Sequence, residues 1–405
     1  MKRILIILLV FSPFGTFAQQ DSLKWFKGNT HTHSLWSDGN EFPEMIIDWY
    51  KSNGYDFISL SDHNILADSE KWINLPKHPF RQKGFRDYLE KYGKDWVNYK
   101  TDSAGIISVR LKTLAEYRPL FEEKNKFLII QAEEITDKFE KKPIHINAVN
   151  VKELIKPQGG NSVAAVMQNN LDKVYEQRER TGQPMIAHIN HPNFGWAVKV
   201  EDMMTLKGER FFEVYNGHPH VHNYGDSTTI GTEQLWDRLL IHYIREGRDL
   251  LYGLATDDAH DFLEFNLKTS NPGRGWIMVR AKQLQPASLI AAMEQGNFYS
   301  TTGVELDELN FGGKTLHLRV KPEPGIQYTI QFWGAGKVVG GEKGGVLLKE
   351  VKGSESSYRL SKKDLYVRAK VVSTKIKKNP YAEGEVETAW TQPVRRTRNK
   401  DKGPL

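Results

Sequence analysis

The stretch Phe57-Ile58-Ser59-Leu60-Ser61-Asp62-His63-Asn64 joins a short apolar run directly to a cluster of Asp, His and Asn. A run of that length, stopped by polar turn formers, reads as a buried strand. The same transition recurs outward from it. Upstream, Trp25-Phe26 leads into Asn29-Thr30-His31-Thr32-His33. Downstream, Phe127-Leu128-Ile129-Ile130 leads into Glu133-Glu134, and Pro143-Ile144 into His145. Met185-Ile186-Ala187 runs into His188-Ile189-Asn190-His191-Pro192, and Phe211-Phe212 into Glu213-Val214-Tyr215-Asn216. Leu250 to Leu254 ends in Asp257-Asp258-Ala259-His260. Core filling does not account for strands that end repeatedly in metal-ligand residues.

Helix patterns lie between these runs. Pro43 to Ser52 stops at Asn53-Gly54, Ser162 to Arg180 stops at Gly182, Thr232 to Glu246 closes at Gly247, and Leu284 to Gln295 precedes Gly296. Apolar residues at helical spacing followed by Gly or Asn mark helices and their ends. Strands alternating with helices predict βα units and a parallel sheet, and converging ligand clusters predict that the sheet closes. In a barrel of parallel strands, active-site groups sit at the C-terminal strand ends. The expectation is an enzyme with a polynuclear metal site.

Residues 68–126 are too long for a simple connection and are expected to form a helical insertion, or lid, over the site mouth. After Gly303 the texture changes. Leu316, Leu318 and Val320 alternate with polar residues, as do Tyr328, Ile330 and Phe332, with Gly-rich turns between runs. This predicts a small all-β, sandwich-like domain over 303–395, following a main domain over 19–302.

With 405 residues, 39% hydrophobic, the chain can bury a large core. Lys2-Arg3, the apolar run Ile4 to Phe11 and Thr16-Phe17-Ala18 have the regions of a secretory signal peptide over 1–18. That run is too short to span a bilayer. Cys is absent, so disulfides, thiolate ligands and a lipid-modified Cys are excluded. The mature protein is expected in the periplasm or outside the cell. Net charge is +6, with Lys2 and Arg3 contributing two of the positive charges. Basic residues are scattered except for Lys375-Ile376-Lys377-Lys378 and a basic tail over 396–405. A nucleic-acid footprint would concentrate them on one element, so no specific nucleic acid is expected as a partner.

The set His31-Thr32-His33, Ser37-Asp38-Gly39, Asp62-His63-Asn64, Glu134-Ile135, His145, His191-Pro192 and Asp258-Ala259-His260 resembles the polymerase and histidinol phosphatase (PHP) family. Order and approximate spacing match over residues 25–302, about two thirds of the chain. Arg274-Gly275-Trp276 and Phe298 to Gly303 resemble a secreted branch that includes carbaryl hydrolases. The resemblance implies an α/β fold with a distorted seven-stranded (β/α) barrel. It also implies two or three divalent metals and, for most members, hydrolysis of phosphate esters. The carbaryl branch cleaves an aryl carbamate instead.

A mixed imidazole and carboxylate set suits Zn, Mn or Fe. On a strand, His31 and His33 point the same way, as do Asp258 and His260. By resemblance, His31, His33 and Asp258 hold the first metal and Glu134 bridges to a second. His145 and His191 complete the second, and Asp38, His63 and His260 hold a third. The implied reaction is direct attack by a metal-activated hydroxide, without a covalent enzyme intermediate.

The residues beside these ligands carry expectations of their own. Glu133 reads as structural and His188 as an outer partner of the His191 site. Asp62 is placed with the catalytic groups as a residue that orients a neighbour, with capping of its own loop as the alternative. The segment Asn216-Gly217-His218-Pro219-His220-Val221-His222 reads as substrate contact or acid catalysis through His218, as an additional metal site, or as a plain loop. Arg274 reads either as an anion clamp, since a guanidinium grips phosphate oxygens bidentately, or as an ordinary surface Arg. His78, His242 and His317 lie outside any motif. No phosphate loop, nucleophile elbow or Cys nucleophile competes.

The leading expectation is a secreted phosphoesterase acting on a small anionic mono- or diester. The second keeps the metals and cleaves a carboxylic or carbamic ester. The third is a non-catalytic, metal-stabilised binding protein, which would have no use for open metal positions.

Overall fold

The structure is a computed structural model and describes residues 23–336 and 344–396. The leader-like segment 1–18 and the basic tail beyond Arg396 lie outside the described residues.

A sheet of 13 strands organises the chain. Seven neighbouring strands form one half, in the order Tyr252–Thr256, Phe211–Asn216, Ile186–Ile189, Lys142–Val149, Leu128–Phe139, Phe57–Leu60 and Lys24–Asn29. Past the two outer strands of this set, the chain segments meet again in a parallel bridge between Thr32 and Ala259. His33 N donates to Ala259 O at 2.9 Å and Asp258 N to His31 O at 3.0 Å. The ends of the first and last of these strands are thereby held side by side.

The uniformly parallel sheet is corrected. Lys142–Val149 runs antiparallel to both neighbours. Only Glu140 and Lys141 separate it from Leu128–Phe139. A tight hairpin of that length reverses direction, whereas a parallel partner needs a crossover of a dozen or more residues. The remaining neighbours among the seven are parallel.

Helices cover the outside where the apolar spacing placed them. Val163–Thr181 begins with Ser162 accepting from Ala165 N at 3.1 Å and ends at Gly182 in the left-handed region. Its Val166, Met167, Leu171 and Val174 pack with Ile146, Ala148 and Ile189 of the sheet. Phe26, Phe57, Ile130, Phe211, Leu254 and Phe298 form a second buried cluster, drawn largely from the early part of the strands. Gly28 permits that packing, because a Cβ there would lie 2.1 Å from the Phe57 ring.

Residues 68–126 do not form a purely helical insertion. Helices Pro79–Tyr92 and Leu114–Phe121 accompany a three-stranded antiparallel sheet of Lys71–Asn74, Ile107–Leu111 and Tyr99–Thr101. Phe85, Tyr88, Val109 and Leu111 of this unit pack on Trp36 and Phe42. Lys71 Nζ donates to Trp36 O and Arg81 to Gly39 O, so the unit grips the loop that carries Asp38.

Beyond residue 303, the three-stranded sheet Leu306–Gly312, Thr315–Val320, Glu355–Arg359 faces strands of the main sheet. Leu316, Leu318 and Val320 meet Ile330, Phe332 and Val371 in the buried layer between them. The main sheet runs straight across residue 303. Phe298–Thr301 pairs on one side with Trp276–Ala281 and on the other with Val386–Thr391. Among the described residues, no helix is long and apolar enough to cross a membrane.

Candidate metal centre

The His, Asp and Glu side chains singled out in the sequence gather at one rim of the seven strands. Most sit at or just past C-terminal strand ends. His145 arrives differently: its strand is antiparallel, so its N-terminal part lies at the same rim, opposite Thr136. His191 and Asp258 adopt φ values of +24° and +49°. Non-glycine residues are costly in that region and persist where surrounding structure fixes them.

Glu134, 1% exposed, stands at the centre. Its Oε1 lies 3.4 Å from His31 Nε2, 3.0 Å from His145 Nδ1 and 3.5 Å from His191 Nε2. Its Oε2 lies 3.4 Å from His33 Nε2 and 2.8 Å from His63 Nδ1. Asp258 Oδ1 is 3.1 Å from both His31 Nε2 and His33 Nε2. The buried atoms His31 Nε2, His33 Nδ1, Glu134 Oε2 and His145 Nδ1 nonetheless make no aligned hydrogen bond. Buried polar atoms are normally hydrogen-bonded. Lone pairs that converge without pairing fit divalent cations in their midst.

Among the described residues, three groups have ligand atoms within 4.8 Å of one another: His31, His33 and Glu134; His63, Glu134 and His145; and His33, Asp38, His63 and His260. Glu134 belongs to two of them, as a bridging carboxylate would. His191 stands just outside these groups, 4.0 Å from Asp258 Oδ2. Asp38 is the open side of the cluster, with its side chain 57% exposed.

The electrostatics follow from burial and crowding. Burial opposes charge on Glu134 and Asp258, yet the surrounding imidazoles hold both well below the usual carboxylate range. Burial lowers His31, but Asp258, Glu213 and Glu134 outweigh it and raise the group. His33 is pushed down to about 3 by burial and by His260 and His63. Ionised carboxylates in a buried pocket attract positive charge, whether as protons on imidazoles or as divalent cations.

Residues behind the cluster fix its orientation. Glu213 Oε1 lies 2.6 Å from His31 Nδ1, and Glu213 Oε2 accepts His191 N at 2.8 Å. Asn190 Nδ2 donates to Glu134 Oε1 at 2.7 Å, and Asn216 Nδ2 to Asp258 Oδ2 at 3.1 Å. The sequence placed Glu213 and Asn216 in a polar strand end but gave neither a role. The signal available was a Glu inside the otherwise apolar Phe211-Phe212-Glu213-Val214. His188 contacts Thr30 Oγ1 at 3.3 Å and lies 3.7 Å from Glu213. Glu133 accepts Ile155 N at 2.7 Å, and burial raises it to about 8. Asp257 accepts the backbone N–H groups of Gly273, Arg274 and Gly275 and the Tyr50 hydroxyl.

Of two further groups placed beside the ligands, Asp62 has an orienting place and Arg274 is corrected. Asp62 accepts Ser34 N at 2.8 Å, Ser34 Oγ at 2.7 Å and Ser37 Oγ at 2.6 Å, so it organises the loop leading to Asp38. Arg274 is fully buried rather than a rim clamp. Its guanidinium donates to the carbonyls of Gly217, Thr269, Asn266, Asn379 and Pro380, at 2.7 to 3.2 Å. Those bonds occupy all five N–H groups and leave no fork for an anion.

His218 stays at the site, half-buried, with its ring 5.7 Å from that of His260 and 5.8 Å from Phe194. Its Nδ1 accepts His220 N at 3.2 Å, which places a neutral ring's proton on Nε2. Burial lowers it to about 4. His220 is exposed, and His222 stacks on Trp196 at 4.4 Å.

No family profile and no curated protein matches the chain. Among solved structures it is similar to a two-domain Bacteroides vulgatus protein containing a predicted PHP-like metal-dependent phosphoesterase. Identity there is 14%, over 92% of this chain and 95% of that one, with a TM-score of 0.40. A provisionally assigned metal-dependent phosphoesterase from Bifidobacterium adolescentis is 13% identical over 58% of this chain and 88% of that one, TM-score 0.29. An amidohydrolase from Chromobacterium violaceum is 14% identical over 57% and 87%, TM-score 0.28.

Proposed function

We propose that the chain is a secreted, metal-dependent phosphoesterase of the PHP type, in the branch that resembles carbaryl hydrolases. In this reading the seven strands form a distorted barrel over 19–302, with a C-terminal β domain over 303–395. The Thr32–Ala259 bridge supports closure. The observation that carries the function is Glu134, a buried carboxylate within 3.5 Å of nitrogens on five imidazoles, with its own Oε2 and the neighbouring His31 Nε2 and His145 Nδ1 left without an aligned hydrogen bond.

His31, His33, Asp258 and Glu134 would hold one ion, Glu134 with His145 and His191 a second, and Asp38, His63 and His260 a third. Two or three Zn, Mn or Fe ions would supply Lewis acidity and bring the pKa of water down toward about 7. Glu213 keeps His31 Nε2 turned inward by engaging Nδ1. The exposed Asp38 side marks where a small anionic ester enters, beside the 68–126 unit that we read as the mouth cover. His218, neutral with its proton on Nε2, is the group we assign to contacting the substrate, donating a hydrogen bond from Nε2 to the leaving oxygen.

Elemental analysis of purified protein, paired with hydrolysis of an aryl phosphate, an aryl phosphodiester and an aryl carbamate before and after chelation, tests this. Two to three metals and chelator-sensitive phosphate release support it. A metal-free protein that stays inactive after Mn or Zn is restored refutes it. Arg274 favours a second reading: with every N–H given to backbone carbonyls, it offers no anion clamp, and a neutral carboxylic or carbamic ester fits the same centre. Hydrolysis of the carbamate alone selects that reading. Loss of residues 1–18 from protein recovered outside the cytoplasm, read by mass spectrometry, tests secretion.

A further inference from the structure

The loop 377–385, between the C-terminal strands Asp364–Ile376 and Val386–Thr391, reaches across to the rim of the metal centre. Lys377 Nζ donates to Tyr215 Oη at 2.6 Å and to Glu385 Oε1 at 3.2 Å. Glu385 also accepts the Tyr224 hydroxyl at 2.8 Å and Tyr381 N at 3.2 Å. Arg274 ties Asn379 O and Pro380 O to Gly217 O. The loop is thereby fastened to both chain segments that frame the ligand Asp258.

One line of hydrogen bonds leads from this loop to Asp258 itself. Asn223, 4% exposed, donates from Nδ2 to Tyr381 Oη at 3.0 Å and to Asn216 O at 2.8 Å. Asn223 Oδ1 accepts Asn216 N at 3.0 Å, so one amide grips the Asn216 backbone at two points. Asn216, fully buried, donates from its own Nδ2 to Glu213 Oε2 at 2.8 Å and Asp258 Oδ2 at 3.1 Å, while its Oδ1 accepts His218 N at 2.8 Å. Every donor and acceptor of the Asn216 amide is used, which fixes its orientation. Asp258 needs such support, because it sits at φ +49°.

We propose that Tyr381, Asn223 and Asn216 form a positioning relay by which the C-terminal β loop sets the orientation of the Asp258 carboxylate in the metal centre. The relay rests on the metal reading above. It gives the C-terminal region a part in the site: its loop holds a ligand from behind, and Asn216 couples that ligand to the His218 backbone. Residues that hold metal ligands from behind typically change metal affinity about 10- to 100-fold when removed.

The test loads the full chain with Co2+ and reads both affinity and visible absorption, which reports ligand geometry apart from turnover. The variants are Asn216→Ala, Asn223→Ala, Tyr381→Phe and the Asn216→Ala/Tyr381→Phe pair. Asn216→Ala is expected to weaken cobalt binding about 10- to 100-fold and shift the absorption band. Asn223→Ala and Tyr381→Phe should shift the same band by smaller amounts. The double variant should match Asn216→Ala alone, since residues acting through one another are non-additive. Wild-type protein that takes up no cobalt overturns the metal reading and the relay together. Wild-type uptake with an Asn216→Ala spectrum identical to it, or additive effects in the pair, overturns the relay alone. Should Asn216→Ala fail to fold, Tyr381→Phe decides by itself, because it removes only a hydroxyl: an unshifted band refutes the proposal.

Discussion

Glu213 Oε1 lies 2.6 Å from His31 Nδ1, both side chains fully buried, and this contact leaves His31 Nε2 facing Glu134 and Asp258. A carboxylate behind a histidine ligand fixes the ring and raises its basicity. Glu213→Gln should therefore lower metal affinity about 10- to 100-fold while the far-UV circular dichroism stays native. Affinity is read by competition with a chromophoric chelator, and an unchanged value would remove Glu213 from the centre.

Arg274 is expected to act on stability and not on substrate charge. Buried carbonyls left without donors cost roughly 1–3 kcal/mol each, so Arg274→Ala should destabilise by about 3 kcal/mol or more. Urea unfolding measures this. Any folded fraction should lose kcat/KM by the same factor for anionic and neutral esters, and a selective rise in KM for anions would restore the clamp.

His191 and His188 separate by their surroundings. His191 Nε2 faces Glu134 Oε1 at 3.5 Å, whereas His188 contacts Thr30 and lies near Glu213. His191→Ala should abolish turnover with the fold largely kept, and His188→Ala should be milder. Wild-type activity in the His191 variant would sink its assignment as a ligand.

The 68–126 unit should loosen as pH rises. Glu41, 4% exposed, is raised to about 7 by burial, with Asp87 and Glu44 adding to the shift and Phe42 N and Arg81 opposing it. A carboxyl whose folded pKa exceeds its unfolded value favours the folded state at low pH, and that contribution is lost as pH climbs through about 7. The opening free energy of Pro79–Tyr92, from hydrogen exchange corrected for the intrinsic amide rate at each pH, should fall between about pH 4.5 and 7 in wild type, with a limiting slope of about 1.4 kcal/mol per pH unit. Glu41→Gln should flatten the trend, and equal slopes would exclude Glu41 as its source.

The parts legible in the sequence were those encoded by local pattern. Helix Pro43–Ser52 has the bounds its spacing predicted, and the 163–181 helix ends at the expected Gly182. His31, His33, His63, His191, Asp258 and His260 come together because each lies just past the C-terminal end of a short strand, whereas Glu134 and His145 lie within theirs. The rest depended on distant or unmarked partners. The hairpin before His145 turns at Glu140, with φ +56° and no Gly or Asn to announce it. Strands Lys71–Asn74 and Tyr99–Thr101 are too short to show an alternation. Arg274 is buried by carbonyls that lie up to 106 residues away, and backbone acceptors leave no trace in residue type.

The sheet that crosses residue 303 makes the two halves melt as one. With Phe298–Thr301 paired to Val386–Thr391, heating should give a single cooperative transition by calorimetry and by both near- and far-UV signals. A chain cut after residue 303 would bare the Phe298–Thr301 edge and the apolar surface around Tyr299, Met278 and Trp25. Unpaired strand edges of that kind recruit other strands, so the severed half is expected to aggregate instead of persisting as a smaller soluble enzyme.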